Sequence, residues 1–259
     1  LLLAAKGDRM EPAFVLALHT GLRPGELLGL SWRDVDFDRK QLSVRQSLHE
    51  EDGKVFIGAV KTPASERTIS LSDEAISALR AQQLKQIEEQ LETPGWKNEE
   101  DLVFTNTKGG LIRRTHVASR HLKPVLHRAA MVRLAWRCEL NPEQVLKVYD
   151  ECGGGPVRAG DKIRYVDGRT YVVERSDLMD DVSLHTFRHT HASVLILMGV
   201  DIKTVSARLG HENVEFTYAT YVHLMPGQDE GAAKAMDQFF QQRTSLAVHR
   251  QYGDEKDES

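Results

Sequence analysis

Apolar residues recur at helical spacing along most of this chain and switch to alternation in only two short stretches, residues 41–71 and 162–173. Such a pattern specifies packed helices with a minor antiparallel component, a mainly α (α+β) fold with a small antiparallel β-sheet. Residues 11–20 place Phe14, Val15 and Leu18 on one face and stop at Gly21, a residue suited to a left-handed helix cap. Pro24 opens the next helix, where its missing amide proton costs nothing, and Leu27, Leu28 and Leu30 follow. Residues 41–49 and 54–60 alternate around the Glu51-Asp52-Gly53 turn, and 67–71 adds a third short strand. Ser72 with Asp73 and Glu74 starts a helix to about Glu92, broken by Pro94-Gly95. Helical patterning predicts further helices at 114–130, 141–149, 186–198, 202–209, 213–224 and 229–241.

Charge narrows the function classes. Lys and Arg number 34 against 38 Asp and Glu, a formal charge of −4, which argues against coating nucleic acid by bulk positive charge. The distribution is uneven, however. Residues 86–101 hold six acids and one Lys, whereas 102–133 hold Lys108, Arg113, Arg114, Arg120, Lys123, Arg128 and Arg133 and no acid. A single-sign cluster on a helix is the footprint of a phosphate-backbone contact, or else a solvated helix face. Two cysteines, Cys138 and Cys152, are too few for a disulfide framework, and no segment reads as a signal peptide or a membrane span, so a cytoplasmic protein is expected. The opening Leu1-Leu2-Leu3-Ala4-Ala5, without Met, predicts a fragment whose preceding domain is missing.

Three segments carry groups able to do chemistry. In Thr20-Gly21-Leu22-Arg23-Pro24-Gly25-Glu26, the proline keeps Arg23 out of the helical region, at a helix N-terminus that favours an anion. Its guanidinium is a two-pronged donor for phosphate or carboxylate, and Glu26 is close enough to orient it. In Leu184-His185-Thr186-Phe187-Arg188-His189-Thr190-His191, His185 and Arg188 share a helix face, setting a titratable group beside a fixed positive charge. His185 and His189 also have the i,i+4 spacing of zinc helices, but no Glu stands between them as in His-Glu-x-x-His. The third segment is Leu209-Gly210-His211-Glu212-Asn213, followed by Tyr221. A lone tyrosine on an amphipathic helix is usually a packing residue, and only its company changes that reading.

Arg23, His185-x-x-Arg188, Gly210-His211 and Tyr221, in that order, resemble the signature of the tyrosine recombinase, or phage integrase, family. The resemblance covers residues 1 to about 130 and 183 to about 242, and Lys61-Thr62, with Arg67-Thr68-Ile69 behind it, matches the family's hairpin lysine. It implies site-specific cutting and rejoining of double-stranded DNA, as in integration, through a 3′-phosphotyrosyl intermediate. Tyr221 is then the nucleophile. Arg23 and Arg188 hold the nonbridging oxygens, His211 donates a further hydrogen bond, Lys61 protonates the leaving 5′ oxygen, and His185 assists proton transfer. Glu26 supports, and Lys108, Arg113, Arg114, Arg120, Lys123 and Arg128 are candidates for DNA contact. Neither ATP nor metal is implied, so no cofactor is expected. Self-association as a synaptic tetramer and accessory DNA-bending proteins are the implied partners, with no membrane. A type IB topoisomerase and a DNA-binding module that no longer cleaves are the rival readings. His189 and His191 are expected to be buried structural residues, and Tyr218 a packing residue.

The stretch 134–182 departs from the family pattern. It reads as an insertion with a short helix, the connector Cys152-Gly153-Gly154-Gly155-Pro156 and a hairpin around Asp167-Gly168. Arg158, Lys162, Arg164 and Arg169 would make it a further contact surface; a tolerated surface excursion is the alternative. On this reading the catalytic domain spans 1–242 with that insertion, the amphipathic segment after Pro226 docks on a neighbouring protomer or packs back on its own, and 243–259 is a flexible tail.

Overall fold

The computed structural model describes residues 1–225 and Met236. The helix and tail expected at 229–241 and 243–259, Met236 apart, lie outside the described residues. In chain order the elements are α1 (Leu2–Ala5), α2 (Glu11–Thr20), α3 (Pro24–Leu28), β1 (Val35–Asp36), β2 (Gln41–Val44), β3 (Gln46–Glu51), β4 (Lys54–Ala59), β5 (Arg67–Ser70) and α4 (Asp73–Glu92). They continue with α5 (Arg114–Val117), α6 (Lys123–Arg137), α7 (Pro142–Glu151), β6 (Lys162–Arg164), β7 (Thr170–Val172), α8 (Leu184–Leu197), α9 (Ile202–Leu209) and α10 (Val214–Tyr221).

The helix boundaries follow local chemistry. Gly21 takes φ 67° and closes α2 by donating its amide to the Ala17 carbonyl. Arg23 sits extended before Pro24, at φ −65° and ψ 151°, so the chain turns sharply between α2 and α3. The hydroxyl of Ser72, the carboxylate of Asp201 and the amide oxygen of Asn213 cap α4, α9 and α10 by accepting first-turn N–H groups. The basic segment forms α5 and α6 joined through a π-type turn at Ala118–Leu122, so it continues to Arg137, beyond the 114–130 read from the sequence.

The strands depart from the single sheet expected. The stretch 41–49 divides at the exposed Arg45 into β2 and β3, which belong to different sheets. One sheet runs β1-β2-β5, with Leu42 opposite Ile69; β3 and β4 form a separate antiparallel ladder closed at Glu51 opposite Lys54; β6 and β7 form a third. Alternation gives the face a residue occupies but not the strand it pairs with, which is why one run could serve two sheets.

Most of the core is one cluster in which Phe14, Leu16 and Ala17 of α2 are buried, with α2 packed on α4 and α8 while α6 packs on α1 and α7. The rings of Phe14 and Phe187 stack at 5.5 Å and 7°, which fixes α8 against α2. A second, smaller cluster gathers Ala192, Ile196, Val205, Leu209 and Tyr221 between α8, α9 and α10.

The inserted segment is not a surface excursion. Val145, Leu146, Val157, Tyr165 and Val173 are buried in the main core, and Arg137 of α6 grips Asp177 through two hydrogen bonds of 3.0 and 2.7 Å. Leu146→Ala should therefore cost about 2–5 kcal/mol, as for other core truncations. Urea unfolding that shows a loss under about 0.5 kcal/mol, the range of ordinary surface changes, would place the insertion outside the cooperative core.

Candidate active site

A cleft of about 790 Å³ opens between α3, the β3–β4 ladder and the ends of α8 and α9. Arg23, Glu26, Lys61, His185, Gly210 and His211 line it, together with Arg114 and Glu50. Residues far apart in sequence thus meet in one place. Arg188 and Tyr221 are not among its walls; each is buried, 3% and 4% exposed.

The arginines are held from behind by the end of α9. Backbone carbonyls in the last turn of a helix lack intrahelical partners, and the negative end of the helix dipole favours cations there. The Arg208 carbonyl accepts from Arg67 Nε at 2.7 Å, the Leu209 carbonyl from Arg188 Nη2 at 2.6 Å, and the Gly210 carbonyl from Arg23 Nη2 at 2.9 Å. The Gly21 carbonyl at the end of α2 accepts from Arg188 Nη1 at 2.8 Å. Gly210 has φ 67°, and a Cβ there would lie 2.8 Å from Arg67 Nη1, so this turn requires glycine for both its conformation and its packing.

Glu26 is the counter-charge. Only 3% of its side chain is exposed, and its carboxylate accepts from Arg23 Nη1 at 2.7 Å, Arg67 Nη2 at 2.8 Å and the Arg23 backbone N–H at 2.9 Å. Burial alone would raise its pKa, but the hydrogen bonds and charge of Arg67, reinforced by Arg23, hold it below the usual carboxylate range. Arg67 is the residue that reading the sequence placed only as a neighbour of Lys61; an ion pair to a partner 41 positions away leaves no local signal. Burial, with the charges of Arg23 and Arg67, lowers the Arg188 pKa to about 10, which leaves the guanidinium charged at neutral pH.

The remaining groups are set by their own partners. Lys61 lies exposed at the rim, just after β4. His211 Nδ1 is 2.7 Å from Thr217 Oγ1, so its other nitrogen is left for the cleft, and burial followed by the charges of Arg188, Arg23 and Arg67 lowers its pKa to about 4. Burial, then the neighbouring His189, Arg188 and Arg23, lowers the pKa of His185. Burial pushes the Tyr221 phenol up, opposed by the charge of Arg188. Tyr221 Oη and His189 Nδ1 are 2.7 Å apart. His189 is exposed rather than buried, because it turns from the core face of α8 toward α10. Tyr218 is 47% exposed and is not a packing residue. His191 is buried, its Nδ1–H donating to the Leu18 carbonyl and its Nε2 accepting from Arg208 Nε.

The basic residues of 102–133 divide. Arg114 reaches the cleft and pairs with Glu50 at 3.2 Å, while Lys108, Arg120 and Lys123 are exposed. Arg113 donates to the Gly53 carbonyl, and Arg128 ties the Ala4 carbonyl to Asp150 of α7. Arg128 is therefore engaged within the fold.

A model described as the phage integrase family matches residues 4–133 and 168–227; 134–167 is unmatched, whereas 168–182, read from the sequence as part of the insertion, falls within the match. A tyrosine recombinase XerC-like protein of Caldanaerobacter subterraneus is 30% identical over 249 residues, covering 92% of this chain and 51% of its own. The ICEBs1 integrase of Bacillus subtilis is 27% identical over 224 residues, covering 86% and 47%. The chain thus spans about half the length of these curated relatives. Among solved structures, the Tn1549 transposon integrase in complex with transposon right end DNA superposes with a TM-score of 0.59 at 20% identity, covering 92% of this chain and 62% of that one. The XerA recombinase gives 0.50 at 18%, covering 92% and 61%. These likenesses establish the fold.

Two consequences can be measured. Glu26→Ala leaves two guanidinium groups facing each other without their carboxylate, and should cost about 3–5 kcal/mol in urea unfolding; a loss below about 1 kcal/mol would remove it as the organising charge. His191 has a folded pKa of about 4 against an unfolded value near 6.5, so the unfolded chain binds the extra proton between them. Its contribution is full above about pH 6.5 and fades as the pH falls toward 4, on the order of 3 kcal/mol in all. His191→Gln should flatten that part of the stability profile, and an unchanged slope would contradict the assignment.

Proposed function

The chain belongs to the phage integrase family, and from that membership we propose that it cuts and rejoins double-stranded DNA as a site-specific recombinase through a tyrosyl–DNA intermediate. The observation that carries this reading is the convergence of Arg23, Lys61, His185 and His211 on one cleft, with Arg188 held by the Gly21 and Leu209 carbonyls and Tyr221 by His189, whose ring touches that of His185. Among the described residues no helix is long and apolar enough to cross a membrane. Work on DNA in the cytoplasm is part of the proposal.

The step is an in-line displacement. Tyr221 Oη forms a bond to phosphorus, and the bond from phosphorus to the 5′ oxygen breaks. Lys61 Nζ gives its proton to that oxygen, leaving a free 5′-OH and a 3′-phosphotyrosyl link. Charge builds on the nonbridging oxygens, where Arg23 and Arg188 offer donors already fixed by the α9 and α2 carbonyls. His211, neutral at pH 7 with Nδ1 at Thr217, adds an N–H from its other nitrogen. His185 on the cleft wall acts at the phosphate. Because the phosphotyrosyl link conserves the energy of the broken bond, a 5′-OH from another strand reverses the step, and exchange between two sites follows when protomers assemble on DNA.

Phosphate contacts fall to Arg114 in the cleft and to the exposed Lys108, Arg120 and Lys123 outside its lining, with Arg113 and Arg128 partly committed elsewhere. Assembly of four protomers and help from DNA-bending proteins complete the proposal.

Nicked duplexes of randomised sequence, which lose a short fragment after cleavage and so prevent rejoining, should trap a covalent adduct that mass spectrometry maps to Tyr221. Tyr221→Phe should give none. An adduct that persists in that variant would reassign the nucleophile, and no adduct with the unaltered chain on any duplex would defeat the proposed activity.

A further inference from the structure

The attack just proposed leaves one proton unassigned, that of the Tyr221 phenol. Its ring is packed among Ala192, Ile196, Val205 and Leu209, and burial keeps the phenol protonated at neutral pH. It must therefore surrender a proton as it attacks. The histidines around it are committed unequally. His211 Nδ1 is occupied by Thr217, and both nitrogens of His191 are occupied by Leu18 and Arg208. His185 lines the cleft. His189 alone among the described histidines is hydrogen-bonded to the phenol, Nδ1 to Oη at 2.7 Å.

We propose that His189 is the base for this nucleophile: its Nδ1 takes the phenol proton as Tyr221 attacks, and returns it when the strand is rejoined. The inference rests on the strand-cutting reading above. The balance is complete without an outside reactant. The O–H electron pair of Tyr221 becomes the new bond to phosphorus, the proton moves to His189, and the departing 5′ oxygen is protonated separately by Lys61. Geometry comes first for a proton acceptor, and this one is within reach before DNA arrives. The His189 ring also meets the His185 ring edge-on with centroids 4.8 Å apart, which sets this acceptor beside a histidine of the cleft wall. The fold accounts for the pairing as well. His189 follows Arg188 on α8, so the turn that buries the guanidinium toward α2 and α9 sends the next side chain toward α10.

The test uses the trapping assay on two DNAs, one ordinary and one with sulfur in place of the bridging 5′ oxygen. A thiolate leaves without needing a proton, so the sulfur DNA bypasses Lys61 and isolates events at the phenol. His189→Ala should slow adduct formation by about 10²–10⁴-fold on both DNAs, the usual worth of general-base catalysis, whereas Lys61→Ala should recover on the sulfur DNA. Because His189 is exposed, added imidazole should restore part of the rate to His189→Gly. His189→Asn, which keeps a hydrogen-bonding atom near the phenol but cannot carry the proton, should remain slow. Asn at the unaltered rate, or no rescue of the Gly variant by imidazole, would reduce His189 to a positioning role and overturn the proposal. Adducts from the unaltered chain and His189→Ala at equal rates would defeat the base while leaving the recombinase reading intact. No adduct at all with the unaltered chain would defeat both. Nitrogen NMR of the labelled free chain supplies a check on folded protein: Tyr221→Phe should shift His189 Nδ1, and an unmoved resonance would contradict the hydrogen bond from which the role derives.

Discussion

Three consecutive carbonyls at the end of α9, those of Arg208, Leu209 and Gly210, each hold a different arginine, and the site depends on that arrangement. Guanidinium groups repel one another, and packing the half-buried Arg23 beside Arg67 and Arg188, which are out of water, is costly unless their protons are satisfied. The helix end supplies neutral acceptors aligned with the negative end of a dipole, and Glu26 supplies the single full counter-charge. Among the described residues Glu26 is the carboxylate paired with Arg23 and Arg67, while Arg188 is held by backbone carbonyls alone. In the proposed reaction a phosphodiester brings one negative charge and its pentavalent state develops a second, and these guanidinium groups would be the complement already in place.

That arrangement links sequence segments that local reading cannot connect. The helix stop at Gly21, the start at Pro24 and the His185-x-x-Arg188 spacing were all legible, because caps and helical faces are properties of neighbouring residues. The pairing of Glu26 with Arg67 was not, nor was the cradle of carbonyls, because a backbone acceptor has no residue identity to read. The same limit explains β2 and β3. Leu42, Val44 and Leu48 alternate as one strand would, yet the first two belong to the β1-β2-β5 sheet and the last to the β3-β4 ladder.

His189 shows the limit from another side. Beside Arg188 in a run rich in histidine, it reads as one more structural ring, and only the return of the chain through α9 and α10 brings Tyr221 against it. The insertion is the converse case. Its hairpin was evident from Asp167-Gly168, but its burial was not, since Tyr165 and Val173 count as core only once α7 is laid along α6. Local chemistry thus fixes the elements, and long-range packing determines which of their side chains become a site.

The account requires one phosphorus to be reached by Arg23, Arg188 and Tyr221 together. A crystal structure of the chain with two DNA ends joined around orthovanadate, which adopts the five-coordinate geometry of the displacement, measures this directly. The account predicts vanadium bonded to Tyr221 Oη, with Arg23 and Arg188 on its equatorial oxygens and their carbonyl contacts to α9 retained. Vanadium held by Arg23 and Lys61 alone, with Arg188 still turned away and the phenol out of reach, would contradict it.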